Sequence, residues 1–253
     1  MNKTSAQRTA LVTGGSRGIG AATAWLCAQR GWAVAVNYTH DAAAAHSVVS
    51  RICAGGGTAL ALQADVSDEA QVLALFAALD RDLPPLAGLV NNAGVVDVQA
   101  RVDGMSLARL QRMFAVNVFG TFMCSREAVK RMSTAHGGAG GGIVNLSSAA
   151  ARLGGPGQYV DYAAAKGAID VFTLGLAKEV ALEGIRVNAV RPGIIATDIH
   201  ASGGQPGRAQ QMAPMVPMQR AGSAEEVAEA IVWLLSDAAS YTTGAVIDVT
   251  GGR

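Results

Sequence analysis

Tyr162 and Lys166 are the pair in this chain whose types and spacing point most directly to chemistry. They stand four residues apart in YAAAK, inside a segment that reads as a helix. Positions i and i+4 share one helix face, which sets the lysine ammonium beside the phenol. A free tyrosine titrates at about 10, and a neighbouring cation favours its phenolate. The spacing therefore predicts a tyrosine drawn toward general acid–base work near neutral pH. Such a pair also occurs in helices that do no chemistry, so the rest of the chain has to supply a reaction. Ser147 and Ser148, at the end of an apolar run just upstream, offer hydroxyls to the same place.

The elements that must position this pair alternate strand and helix. Thr9–Thr13 reads as a buried strand, GGSRGIG follows, and a helix begins near Ala21. Gly14, Gly18 and Gly20, with Ser16, Arg17 and Ile19 between them, thus occupy a strand–turn–helix junction. Glycines there permit the tight turn and let a pyrophosphate approach the helix N-terminus. The spacing is G-x-x-x-G-x-G, and the alternative is a glycine-rich turn that holds nothing.

Trp32–Asn37 is the second strand. An acid at its end binds the ribose 2′-hydroxyl in NAD sites, yet this chain has Asn37, Tyr38 and Thr39. No carboxylate is present to repel a 2′-phosphate. Arg17 is either a donor to that phosphate or a solvated loop charge. The expectation is NADP(H), with NAD(H) possible. Thr58–Ala64 is the third strand, and Asp65 and Val66 sit past its end, where an adenine ring is expected. Leu86–Asn91 is the fourth and runs into Asn91, Asn92, Ala93 and Gly94. This alternation predicts an α/β fold, a doubly wound parallel sheet with helices on both faces. Ligands in such sheets lie beyond the carboxyl ends of the strands, where all of these residues fall.

Leu107–Met132 reads as one long helix, with Asn117 among apolar neighbours; taken alone, its amide pairs with backbone. Ile143–Ser147 and Arg186–Val190 are further strands, the latter followed by Arg191, Pro192 and Gly193. Residues 194–222 are broken by Gly and Pro and supplied with Met212, Met215 and Met218, a composition that suits a substrate lid. Ser223 and Glu226 form a capping box ahead of a helix, and Ala245–Val249 is the last strand. No linker or repeat interrupts the pattern, so residues 1–253 are expected to form one domain.

Composition excludes several classes. Half of the 253 residues are hydrophobic, 15% are charged and the net charge is +1, which gives core material but no nucleic-acid footprint. Cys27, Cys53 and Cys124 are scattered, and His40, His46, His136 and His200 form no ligand pair, so neither disulfides nor a metal are expected. No stretch is long and apolar enough for a membrane span or a signal core. A cytoplasmic protein without a membrane partner is expected.

With TGGSRGIG, NNAG, Asn117, Ser148, YAAAK and RPG in this order, the chain resembles the short-chain dehydrogenase/reductase family over essentially its whole length. The resemblance implies a Rossmann-like sheet of about seven strands. It implies that Tyr162 exchanges a proton with the reacting oxygen, and that Lys166 lowers the Tyr162 pKa and holds the nicotinamide ribose. Ser148 would hydrogen-bond the reacting oxygen, and Asn117 would anchor a water linking Lys166 to solvent. Thr13, Gly14, Arg17, Ile19 and Gly20 would line the cofactor phosphates, and Asp65 and Val66 the adenine. Asn91, Asn92, Ala93 and Gly94 would meet the adenosine side. Pro192, Gly193, Ile195 and Thr197 would meet the nicotinamide.

Two departures stand out. Ser148 and Tyr162 are one residue farther apart than is usual in the family, which leaves Ser147 as a rival. Members acting on acyl carrier protein tend to carry basic residues on the docking face, where Glu183 stands here. The expected function is oxidoreduction of a small carbonyl or alcohol. A 3-oxoacyl-carrier-protein reductase and a sugar dehydrogenase are the alternatives within the family, and a non-catalytic dinucleotide-binding scaffold or sensor is the alternative outside it. Helices Leu107–Met132 and Tyr159–Leu182 are apolar on more than one face; the second cover is the same subunit or another. In the family these helices form the main interface of a tetramer, so a homotetramer is expected.

Overall fold

The computed structural model describes residues 7–197 and 203–253. Seven parallel strands form one sheet in the order β3-β2-β1-β4-β5-β6-β7. They are β1 Thr9–Val12, β2 Ala33–Tyr38, β3 Ala59–Gln63, β4 Leu86–Asn91, β5 Gly141–Leu146, β6 Ile185–Pro192 and β7 Val246–Val249. The chain builds outward from β1 to β3, then returns to lay β4 on the other side of β1. That reversal opens a crevice between the loops that follow β1 and β4.

Alternating strand residues face opposite sides, and each side is apolar. Val12, Val34, Val36, Val90, Val144 and Val190 pack against α1 (Gly18–Gln29), α2 (Ala42–Ala54) and the helix Ala224–Leu235. Leu11, Ala35, Leu89, Ile143 and Val187 pack against α3 (Glu69–Asp82) and the helices Gly120–Met132 and Val160–Glu179. Burial on both faces explains why the strands read as continuous apolar runs.

The long helix expected over Leu107–Met132 is interrupted. It comprises α4 (Leu107–Phe114), a π-helical turn (Ala115–Phe119) and α5 (Gly120–Met132). Asn117 is the centre of that turn. The remaining helices are α6 (Ala150–Leu153), α7 (Val160–Glu179), α8 (Arg208–Met212) and α9 (Ala224–Leu235). The Ser223–Glu226 capping box is present on α9. Residues 198–202 of the expected lid, His200 included, lie outside the described residues. Among the described residues no helix is long and apolar enough to cross a membrane, and no cluster of potential metal ligands occurs.

Candidate active site

The crevice is locked open by polar groups of its own walls. Thr13 Oγ1 accepts hydrogen bonds from the backbone N–H of Asn92 and of Ala93, each 3.0 Å long. The Asn92 amide returns bonds of 2.9 Å to the carbonyl oxygens of Thr13 and Gly14. A Cβ on Gly20 would collide with the Gly14 carbonyl oxygen and lie 2.5 Å from Asn92 Nδ2. The loop therefore has room for backbone and nothing more, and its glycines bring α1 against the crevice as a pyrophosphate cradle requires. The residues present fit a dinucleotide.

Asn37 does not face this crevice. It is buried, its Oδ1 accepts from Gly14 N (3.2 Å), and its Nδ2 donates to the carbonyls of Leu62 (3.3 Å) and Ala64 (3.0 Å). β2 runs one residue beyond the predicted end, so Asn37 is an internal strand residue that ties the glycine loop to β3. Tyr38 is buried as well, and Thr39 and His40 are the first residues past the strand with open surface. Asn91 is likewise turned away. In register with Asn145, it donates to Asn145 Oδ1 (2.8 Å) and Ser125 Oγ (2.9 Å) inside the lower core. Asn92, one residue on and so on the opposite face, is the asparagine that borders the crevice, a phase that strand alternation would have revealed. Asp65 Oδ1 accepts from the N–H and hydroxyl of Ser67 and shapes the turn before α3. Val66 is buried against Gly120. Arg17 is exposed at the mouth of the glycine loop and takes part in no ion pair among the described residues.

Tyr162, Lys166 and Ser148 come together in a cavity of about 320 Å³ at the carboxyl ends of β4, β5 and β6. α7 presents Tyr162 and Lys166 one turn apart, with the ammonium 5.6 Å from the phenol ring centroid. Burial pushes the phenol up to about 12, against the pull of a hydrogen bond from Ser148. Burial lowers the Lys166 ammonium to about 8, while Asp170 one turn further along pulls it up. Lys166 is not what moves the phenol in this state. Its Nζ donates instead to the Leu146 carbonyl, 2.6 Å away. The sequence expectation of a lowered Tyr162 pKa counted the cation and left out the burial, which is the largest influence on the phenol.

The two serines differ in their partners. Both border the cavity, but Ser147 is buried and donates to the Lys166 backbone carbonyl at 3.3 Å, whereas Ser148 hydrogen-bonds the Tyr162 hydroxyl. α6, a single turn, absorbs the extra residue between Ser148 and Tyr162. Asn117 lies under the site and does not line it. Its Nδ2 donates to the carbonyls of Met113 and Val95 (3.0 Å each), and its Oδ1 accepts from Val95 N (3.3 Å). A Cβ on Gly94 would sit 2.9 Å from Asn117 Oδ1 and 3.6 Å from Lys166 Nζ. Gly94 is thus the narrow gap between the two side chains, and the π turn is what aims Asn117 at it.

Ile19, Gly94, Pro192, Gly193, Ile195 and Thr197 border the same cavity. Sequence reasoning did not single out Arg208 and Arg253, which also line it. Nor did it find the pair Arg109–Asp161, bidentate at 2.7 and 3.2 Å, with Asp161 fully buried next to Tyr162. That pair fastens α4 to the start of α7 and so fixes the tyrosine.

Known proteins agree with this geometry. A family model described as enoyl-(acyl carrier protein) reductase matches residues 14–253. The chain is 60% identical to the uncharacterized oxidoreductase YgfF of Escherichia coli (strain K12), over 96% of this chain and 99% of that protein. It is 40% identical to a 3-oxoacyl-acyl-carrier-protein reductase of Synechocystis, over 97% and 96% of the two chains. A solved Serratia marcescens short-chain dehydrogenase/reductase variant superposes with a TM-score of 0.88 at 35% identity, covering 97% of each chain. A parallel sheet with its crevice at the β1/β4 reversal, a glycine cradle and relatives along nearly the whole chain lead to one assignment: this is a short-chain dehydrogenase/reductase, a nicotinamide-dependent oxidoreductase of alcohol and carbonyl groups.

Proposed function

We propose that the protein is an NADP(H)-dependent reductase or dehydrogenase of a small carbonyl or secondary alcohol, with Tyr162 as its general acid–base. The observation that carries this reading is the Ser148–Tyr162–Lys166 cluster in the cavity beside the glycine cradle. The bound nicotinamide supplies hydride to the carbonyl carbon, or accepts it from the alcohol. The chain supplies the proton. Burial keeps the Tyr162 phenol protonated at neutral pH, which suits donation from Oη to the carbonyl oxygen in reduction. Ser148 Oγ hydrogen-bonds the same oxygen and holds it against the phenol. Lys166, protonated below about 8, offsets the charge left on Tyr162 and holds the ribose. Asn117 is a positioning residue that acts through Gly94 and Val95, with one Oδ1 lone pair left for a relay water on the Lys166 side. In the oxidative direction the same groups run in reverse.

Preference for NADP(H) rests on Arg17, whose guanidinium makes no ion pair among the described residues at the loop mouth, and on Thr39 and His40 where an acid would repel phosphate. Titration of cofactor fluorescence should show NADPH binding more tightly than NADH, with Arg17→Ala reducing the difference about tenfold. Tighter NADH binding would refute the preference. NADPH oxidation against ketones, aldehydes, sugars and an acetoacetyl thioester tests turnover; inertness to the whole panel would favour a dinucleotide-binding scaffold. Residues 203–222, of which Arg208 and Met212 border the cavity, are proposed as part of a lid, and the whole chain as one domain.

A homotetramer is part of the proposal. Phe119 at the end of the π turn, Phe122 on α5 and Val171 and Leu174 on α7 are exposed, and Phe122 stacks on Phe172 with centroids 3.8 Å apart. A contiguous apolar face across two helices suits a symmetric interface.

A further inference from the structure

We infer that the substrate of this site carries a carboxylate, gripped by the guanidinium groups of Arg208 and Arg253. The inference rests on the oxidoreductase reading above and adds the class of substrate. The charged side chains that line the cavity are Lys166, Arg208 and Arg253, and no Asp or Glu lines it among the described residues. Lys166 is engaged with the Leu146 carbonyl and belongs to the proton site. The two arginines have no such task.

Arg208 is held in place by neutral groups. Its Nη1 donates to Gln205 Oε1 at 2.7 Å and its Nη2 to Gln158 Oε1 at 2.8 Å, and its guanidinium lies 5.3 Å from the Tyr159 ring centroid. Carboxamides and an aromatic face orient the fork without cancelling its charge, and further N–H donors remain. Arg253 is placed more strictly still. Gly251 and Gly252 have φ of +64° and +93°, and Cβ atoms on them would lie 2.8 Å from Val216 Cγ1 and 3.1 Å from Pro217 Cβ. The Gly251 carbonyl accepts from Met218 N at 3.1 Å. This packed turn delivers Arg253 to the wall between the cavity and a neighbouring cleft that Glu226 and Asp248 line; its Nη1 is buried in that wall and makes no hydrogen bond within the described chain. A buried charged donor left unpaired is costly and calls for an acceptor.

Arginines just outside the cavity show the contrast. Arg152, Arg191 and Arg220 are each paired with Asp248, Asp170 or Glu226. Arg208 and Arg253 line the reaction chamber and make no ion pair among the described residues, which leaves both for a ligand carboxylate. A planar fork matches a carboxylate through two parallel N–H···O bonds. The ligand is thus an oxo acid or hydroxy acid small enough for about 320 Å³, with its carboxylate toward the arginines and its reacting carbon at Tyr162.

The test compares 4-oxopentanoate and 5-oxohexanoate with their methyl esters, using NADPH and the full chain. The acids should be reduced with kcat/KM at least tenfold above the esters, through KM, and Arg208→Gln and Arg253→Gln should each bring that ratio toward one. Equal values for acid and ester, or a ratio unmoved in both variants, would overturn the inference. A binding arm does not depend on turnover: benzoate against benzamide, titrated into the enzyme–NADPH complex by cofactor fluorescence. A tenfold preference for benzoate, lost in Arg253→Gln, supports the inference; no preference overturns it. Inorganic phosphate displacing NADPH-complex ligands more strongly than benzoate would also overturn it, in favour of a phosphorylated substrate. Brisk reduction of neutral ketones with no preference for acids would remove this inference and leave the oxidoreductase reading standing.

Discussion

The two walls of the crevice are built on opposite terms. On the β1–β4 side, Thr13, Asn37 and Asn92 spend their polar groups on one another's backbone and on the glycine loop. On the β5–β6 side, α8 and the Gly251–Gly252 turn deliver arginines that carry uncompensated charge. A wall with no spare polar capacity can recognise one invariant group by shape and backbone. A wall with spare capacity selects among ligands by what they bring. On the proposed reading, the dinucleotide backbone is held by groups already satisfied among themselves, and the substrate by arginines that have no carboxylate partner among the described residues.

Breaking the buried Arg109–Asp161 pair on the substrate side should have the largest effect on stability. Asp161→Ala leaves Arg109 buried without its carboxylate, and unfolding in urea should show a loss of about 3–5 kcal/mol. A loss under 1 kcal/mol would mean that α7 is fixed by packing alone. Next comes Asn37→Ala, which strands the Gly14 N–H and the Ala64 carbonyl. It should cost about 1–3 kcal/mol and weaken NADPH and NADH by the same factor; a selective loss of NADPH would show Asn37 to be a discriminating residue after all. A third comparison is in pH. Lys166 is cationic below about 8 because burial lowers it, so reductive kcat/KM should fall as pH rises past that value. Lys166→Arg keeps its charge and should carry the falling limb to higher pH, and an unchanged limb would assign it to another group. Smallest is Ser223→Ala, remote from both walls. It removes the α9 cap and should cost about 1 kcal/mol, read from thermal unfolding, with both cofactor affinities unchanged.

Much of the cofactor wall was legible in the sequence because its signals are local. A buried strand, three glycines and a helix specify the cradle, and the bounds of Leu86–Asn91 agree with the structure to the residue. Tyr162 and Lys166 were legible because i, i+4 spacing on a helix is a geometric statement. What escaped depends on tertiary placement. Asn37 and Asn91 read as crevice residues because each was placed by its position at a strand end and not by the face it points to; Asn37 proved one position inside β2, and Asn91, the last residue of β4, points into the core. The π turn at Asn117 follows from an asparagine amide bonding Met113 and Val95, and Val95 is distant in sequence. The rise of the Tyr162 pKa reflects burial, which spacing does not report. Arg208 and Arg253 were invisible because nothing in a glycine-rich segment tells where its arginine will arrive.

The central claim is that Tyr162 moves the proton while the opposite wall holds the cofactor. The direct measurement is Tyr162→Phe, assayed for carbonyl reduction and for NADPH affinity in the same preparation. The account predicts kcat lowered at least a hundredfold, the range of a lost general acid, with the NADPH dissociation constant within about threefold of wild type. Turnover near wild type in a variant that binds NADPH normally would contradict it.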